Sequence, residues 1–112
     1  MKNDQPQDEF WRYAEEEICQ ILKKTAAFEF GVFKLSSGRI TPYYVDLRVI
    51  PSFPNAFRKV SEIYVDAIRR KIGEESFDRV SGIPLAGMAF AVLVAFHLNK
   101  PFIYVRQTRR LR

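Results

Sequence analysis

Apolar side chains return at helical spacing near the start of the chain: Phe10, Trp11, Ala14, Ile18, Ile21 and Leu22. That period predicts an amphipathic helix, and Lys23 and Lys24 stand where a last turn favours cations. Residues 1 to 8 are polar and read as a disordered lead-in, with Asp8 as the N-cap. Between residues 30 and 47 the helical period is lost. Val32, Phe33, Tyr43, Tyr44 and Val45 favour strand, and Ser37-Gly38 supplies a turn, so two short extended segments are expected around 32–35 and 43–47. Pro51 and Pro54 then punctuate a loop, and Pro54 suits the first turn of a second helix. Phe57, Val60, Ile63, Tyr64, Ala67 and Ile68 give that helix one apolar face, and Gly73 is placed to stop it.

The last third carries the clearest architecture. Asp78 to Ile83 read as a short strand ending in a glycine. Residues 86–98, AGMAFAVLVAFHL, are apolar on nearly every side and predict a buried helix. Asn99-Lys100-Pro101 breaks it, and FIYVR at 102–106 reads as another buried strand. Strand, helix and strand with short links make a βαβ unit, hence parallel pairing and a right-handed crossover. The fold class is therefore α/β. Ligands of open α/β sheets sit beyond the carboxyl ends of the strands, which here are Ser81-Gly82-Ile83-Pro84 and Arg106-Gln107. No internal repeat or low-complexity segment interrupts the pattern.

Composition narrows the class of protein. A chain of 112 residues, 47% hydrophobic and 28% charged, fits one globular domain with a core of modest size. Its single cysteine, Cys19, excludes an internal disulfide framework and suits a reducing compartment. No apolar window reaches membrane-spanning length, and the polar start MKNDQPQDE is unlike a signal peptide, so a cytoplasmic protein is expected. The net charge of +5 is uneven: Arg106, Arg109, Arg110 and Arg112 crowd the end, while Glu15, Glu16 and Glu17 lie early. A local basic tail is either a solvated terminus or a phosphate contact, and it says less about nucleic acid than a basic face would.

Elimination thins the chemistry. One histidine and one cysteine cannot build a usual zinc site, and His97, late in the apolar helix, reads as a packed or helix-end residue. No G-x-S-x-G, Walker A or G-x-G-x-x-G pattern is present. Glycine-containing strand ends and arginines remain, the equipment of a phosphate or carboxylate site. On the residues alone, this is an α/β domain suited to an anionic small molecule.

Three blocks go further. Phe33-Lys34-Leu35-Ser36-Ser37-Gly38-Arg39-Ile40-Thr41-Pro42-Tyr43-Tyr44-Val45-Asp46-Leu47-Arg48 resembles the N-terminal signature of orotate phosphoribosyltransferases, F-x-L-x-S-G followed by S/T-P-x-Y and often D-L-R. Gly82-Ile83-Pro84-Leu85-Ala86 resembles that family's G-[IV]-P strand-to-helix turn, and Lys100 to Arg106 resembles the strand leading to its mobile catalytic loop. The blocks occur in family order and cover roughly residues 20 to 110.

The resemblance implies an incomplete phosphoribosyltransferase-type parallel sheet with flanking helices, preceded by a hood-like N-terminal helix and short strands. In domain terms it implies a single truncated domain over 1–112, with an orotate-side part at 9–50 and part of the core at 54–106. It implies transfer of phosphoribosyl from phosphoribosyl pyrophosphate (PRPP) to orotate, giving orotidine 5′-monophosphate and pyrophosphate in pyrimidine synthesis, with Mg²⁺ accompanying the PRPP and a homodimer as the assembly. Ser36, Ser37, Gly38, Tyr43 and Tyr44 would shape the orotate pocket. Ser81 and Gly82 would lie against pyrophosphate, Arg106 and Gln107 against PRPP, and Arg110 would be the catalytic loop cation.

Three departures bear on that reading. The family often has Lys where Ser36 stands. Its loop pattern Arg-Lys-x-x-Lys becomes Arg106-Gln107-Thr108-Arg109-Arg110, and arginine keeps the charge but not the geometry of lysine. The paired acids and Thr/Gly-rich phosphate loop of the PRPP motif are absent: Asp4, Asp8, Asp46, Asp66 and Asp78 are all isolated from one another. The chain is therefore expected to be a fragment, inactive by itself, with apolar surface and a parallel edge exposed. The alternatives are a non-catalytic orotate- or pyrimidine-binding or regulatory module, and a nucleic-acid binder using the arginine tail. The latter is disfavoured because no aromatic residues interleave with that tail.

Overall fold

Pro6 opens the first helix, α1 (Pro6–Lys24). The computed structural model describes the backbone of residues 6–105 and the side chains of residues 9–105. Proline is pre-set for a first helical position, because its φ is already helical and its missing N–H has no intrahelical partner there. The helix therefore begins two residues before Asp8, which lies inside the first turn and is not the cap. Phe10, Ala14 and Ile21 are buried along one stripe. Trp11, expected on that stripe, sits one step round the helix and is 37% exposed, its ring edge-on to Phe10 at 5.0 Å.

The chain divides into two compact units, one to Ala56 and one from Phe57. In the first, α1 ends in a left-handed turn at Ala26, φ 58°. The Ala27 N–H donates to Leu22 O and the Ala26 N–H to Lys23 O, a Schellman closure. The buried Thr25 hydroxyl adds a 2.7 Å bond to Ile21 O. β1 (Phe28–Lys34) and β2 (Ile40–Val45) then form an antiparallel hairpin. Both strands are longer than the sequence pattern suggests and start earlier, so Asp46 and Leu47 fall outside β2. Phe28 pairs with Val45 and Phe30 with Tyr43, and the register shifts between Phe30 and Phe33. Gly31 sits inside that shift, where a residue without Cβ weakens the regular ladder. A 3₁₀ helix, Leu47–Ser52, occupies the segment expected to be loop, and it buries Ile50.

The second unit begins within α2 (Pro54–Lys71), which buries Val60, Ser61, Ile63 and Val65. Gly73 stops it at φ 85° with its N–H on Ile68 O. β3 (Val80–Ser81), α3 (Ala86–Leu98) and β4 (Phe102–Ile103) follow. β3 and β4 pair in parallel, Val80 with Phe102 and Ser81 with Ile103, which makes the expected βαβ unit. Both strands are much shorter than the apolar runs 78–83 and 102–106. Val65, Val94 and Leu98 form a core cluster, with Ile68, Phe77 and Val80 packed on it. α3 is not buried all round: Phe90, Ala91, Val94, Ala95 and Leu98 face inward, while Phe96 is 79% exposed and Val92 is also exposed. Composition reports how apolar a helix is, but not how many of its sides are covered. Asn99 closes α3 in the left-handed region, φ 56°, before Pro101.

No helix among the described residues is long and apolar enough to cross a membrane.

Candidate functional site

The hairpin is closed by the polar insert in its middle. Leu35 donates to Arg39 O and Gly38 to Leu35 O, both at 2.8 Å. Gly38 takes φ 91°, which the turn requires and an L side chain rarely adopts. Ser36, Ser37 and Gly38 are all exposed at this tip. Tyr43 is half exposed on one face of the ribbon, stacked on Phe28 at 5.8 Å with 18° between ring planes. Tyr44 points to the other face, its ring 5.6 Å from that of Phe33.

That second face forms a cleft of about 390 Å³ lined by Glu29, Phe33, Lys34, Tyr44 and Asp46, with Ala26 and Val49 completing it. The structure thus brings Tyr44 into a concave site but leaves Ser36, Ser37, Gly38 and Tyr43 off its lining. Glu29, Lys34 and Asp46 were not singled out by the sequence as cleft residues. The register shift between Phe30 and Phe33 carries Lys34, paired with Ile40, onto the face of Glu29 and Tyr44, where unbroken alternation from Glu29 would have placed it on the other. The usable signal was Gly31 within the strand.

Asp46 organises the end of β2. Its N–H donates to Ala27 O at 2.7 Å, tying β2 to the α1–β1 link. Its carboxylate accepts the Arg48 N–H at 3.1 Å, capping the 3₁₀ helix, and is held by the Arg48 fork, Nε to Oδ1 at 2.9 Å and Nη2 to Oδ2 at 3.2 Å. These charge-assisted bonds hold the Asp46 carboxyl below its ordinary range. Arg48 is raised in turn, first by Asp46 and then by nearby Tyr44. The D-L-R triplet is therefore a local clasp that fixes how the chain leaves the hairpin.

In the second unit, Ser81 and Gly82 lie at the carboxyl end of β3, as the topology requires. They line a cleft of about 290 Å³ with Ile83, Gly87, Tyr64 and Phe90. A Cβ on Gly82 would fall 2.8 Å from Gly87 O and from Ala91 Cβ, so only glycine permits this packing of strand end on helix. α3 starts without a side-chain cap, and within its first turn the Gly87 N–H already donates to Ile83 O and the Met88 N–H to Leu85 O. Arg106, Gln107 and Arg110 lie outside the described residues. Among the described residues no group of three or more His, Cys, Asp or Glu side chains is gathered as a metal site.

No family model matches the chain. Orotate phosphoribosyltransferases of Cenarchaeum symbiosum and Staphylothermus marinus are each 38% identical to it, over 76% and 82% of this chain and 42% and 43% of theirs. The chain thus spans about two-fifths of the length of these curated relatives. Among solved structures, Leishmania donovani UMP synthase superposes with a TM-score of 0.73 at 32% identity, over 83% of this chain and 20% of that one. Orotate phosphoribosyltransferase from Aeropyrum pernix gives 0.70 at 28% identity, over 80% of this chain and 52% of that one.

Proposed function

We propose that this chain, a homologue of the orotate phosphoribosyltransferases in sequence and fold, carries the pyrimidine-side and pyrophosphate-side elements of such an enzyme. The reaction is transfer of phosphoribosyl from PRPP to orotate, giving orotidine 5′-monophosphate and pyrophosphate in pyrimidine synthesis. The observation that carries this reading is the pair of clefts, each on a block of sequence that resembles the family. One lies on the hairpin at Tyr44, the other at the glycine turn from β3 into α3.

In this reading Ser36, Ser37, Gly38, Tyr43 and Tyr44 shape the orotate pocket, with the polar tip beside the aromatic wall. Ser81 and Gly82 receive pyrophosphate, which suits a glycine-containing strand end where backbone can approach closely and a helix begins without a side-chain cap. Arg106 and Gln107 meet PRPP, and Arg110 is the catalytic cation. Cations there would stabilise charge moving onto departing pyrophosphate as the ribose becomes oxocarbenium-like. Mg²⁺ is assigned to PRPP. The described residues offer it no cage of their own, so no step is assigned to it. Residues 9–50 act as the orotate-side part and 54–106 as part of the core, in a cytoplasmic homodimer.

The test is an assay of orotidine monophosphate formation with orotate, PRPP and Mg²⁺. The 112-residue chain alone is expected to bind orotate and give no product, having no adjacent aspartates to hold ribose hydroxyls. The coding region extended past Arg112 to the relatives' length is expected to be active. Product from the short chain would overturn the division of labour. Failure of both chains to bind orotate would overturn the function.

A further inference from the structure

We draw no further inference here: the strongest candidate, the apolar outer face of α3 where Val92 and Phe96 stand exposed in line with Leu85 at its N-cap, carries nothing because nothing in the structure shows what covers it.

Discussion

The Lys100 ammonium donates a 2.6 Å hydrogen bond to the carbonyl of Phe77 and lies 4.5 Å from the centre of the Phe77 ring. The contact joins the α3–β4 link to the segment that leads into β3, 23 residues earlier in the chain. Val80 N–H donates to Pro101 O at 3.0 Å just beyond it, so the lysine pins the point where the parallel pair begins.

Replacing this lysine removes a donor from a part-buried carbonyl as well as the cation–ring contact. Lys100→Met is expected to cost about 1–2 kcal/mol of stability. Urea unfolding should show the loss as a lower midpoint with an unchanged slope. Faster amide exchange at Val80 should accompany it. An unchanged midpoint would mean that the contact contributes nothing.

Gly82 and Gly87 give opposite expectations although both belong to the turn into α3. A Cβ at position 82 meets Ala91 Cβ and Gly87 O at 2.8 Å and Met88 Cα at 3.0 Å, most of it backbone that cannot swing aside. Gly82→Ala is therefore expected to destabilise by about 1–3 kcal/mol through overpacking. A Cβ at position 87 meets nothing nearer than Ile83 Cβ at 3.7 Å, an ordinary contact. Gly87→Ala is expected to be neutral or to stabilise by up to about 1 kcal/mol from helix propensity. Parallel urea melts of the two variants decide it.

The contrast shows what the sequence could carry. A glycine at the end of an apolar strand followed by a helix was enough to place Gly82 at the carboxyl edge of a βαβ unit, because alternation of element types dictates that topology. The apolar run of α3 was legible as a helix, with its end at Asn99-Lys100-Pro101. The strands around it were over-read: hydrophobicity extends from 102 to 105, but pairing stops at Ile103, since a ladder needs a partner at each position and composition does not supply one. On the hairpin, the turn at Ser37-Gly38 was legible from its residue types. The lining of the cleft was not, because the register shift between Phe30 and Phe33 reverses which side chains share a face.

The Asp46–Arg48 clasp makes a contribution that depends on pH. Arg48 holds the folded-state Asp46 pKa below its unfolded value. The clasp therefore adds stability that is fully present above the unfolded pKa, near the ordinary 3.8, and is lost as pH falls through the folded pKa. Asp46→Asn keeps an N-capping side chain but removes the charge. The variant is expected to be less stable than the unsubstituted chain at pH 7, with the gap closing in acid below pH 4 or so. A carboxyl titration followed by NMR should place the Asp46 midpoint below that of a reference peptide. A gap that persists unchanged into acid would show that the charge is not the cause.

Ala26 closes α1 in a conformation that favours glycine. Its φ of 58° is left-handed, and the Schellman bonds of Ala26 and Ala27 hold it there. An L residue with a Cβ bears about 1–2 kcal/mol of strain in that region. Glycine escapes it but loses about 0.4–1 kcal/mol through the greater freedom of its unfolded chain. Ala26→Gly is therefore expected to stabilise by a net of up to about 1.5 kcal/mol. Ala26→Val, with a branched Cβ in the same turn, is expected to destabilise further than alanine does. The ordering Gly above Ala above Val in urea midpoint is the outcome to look for. Val equal to Ala would mean that the turn leaves the left-handed region in solution and that α1 ends by another route.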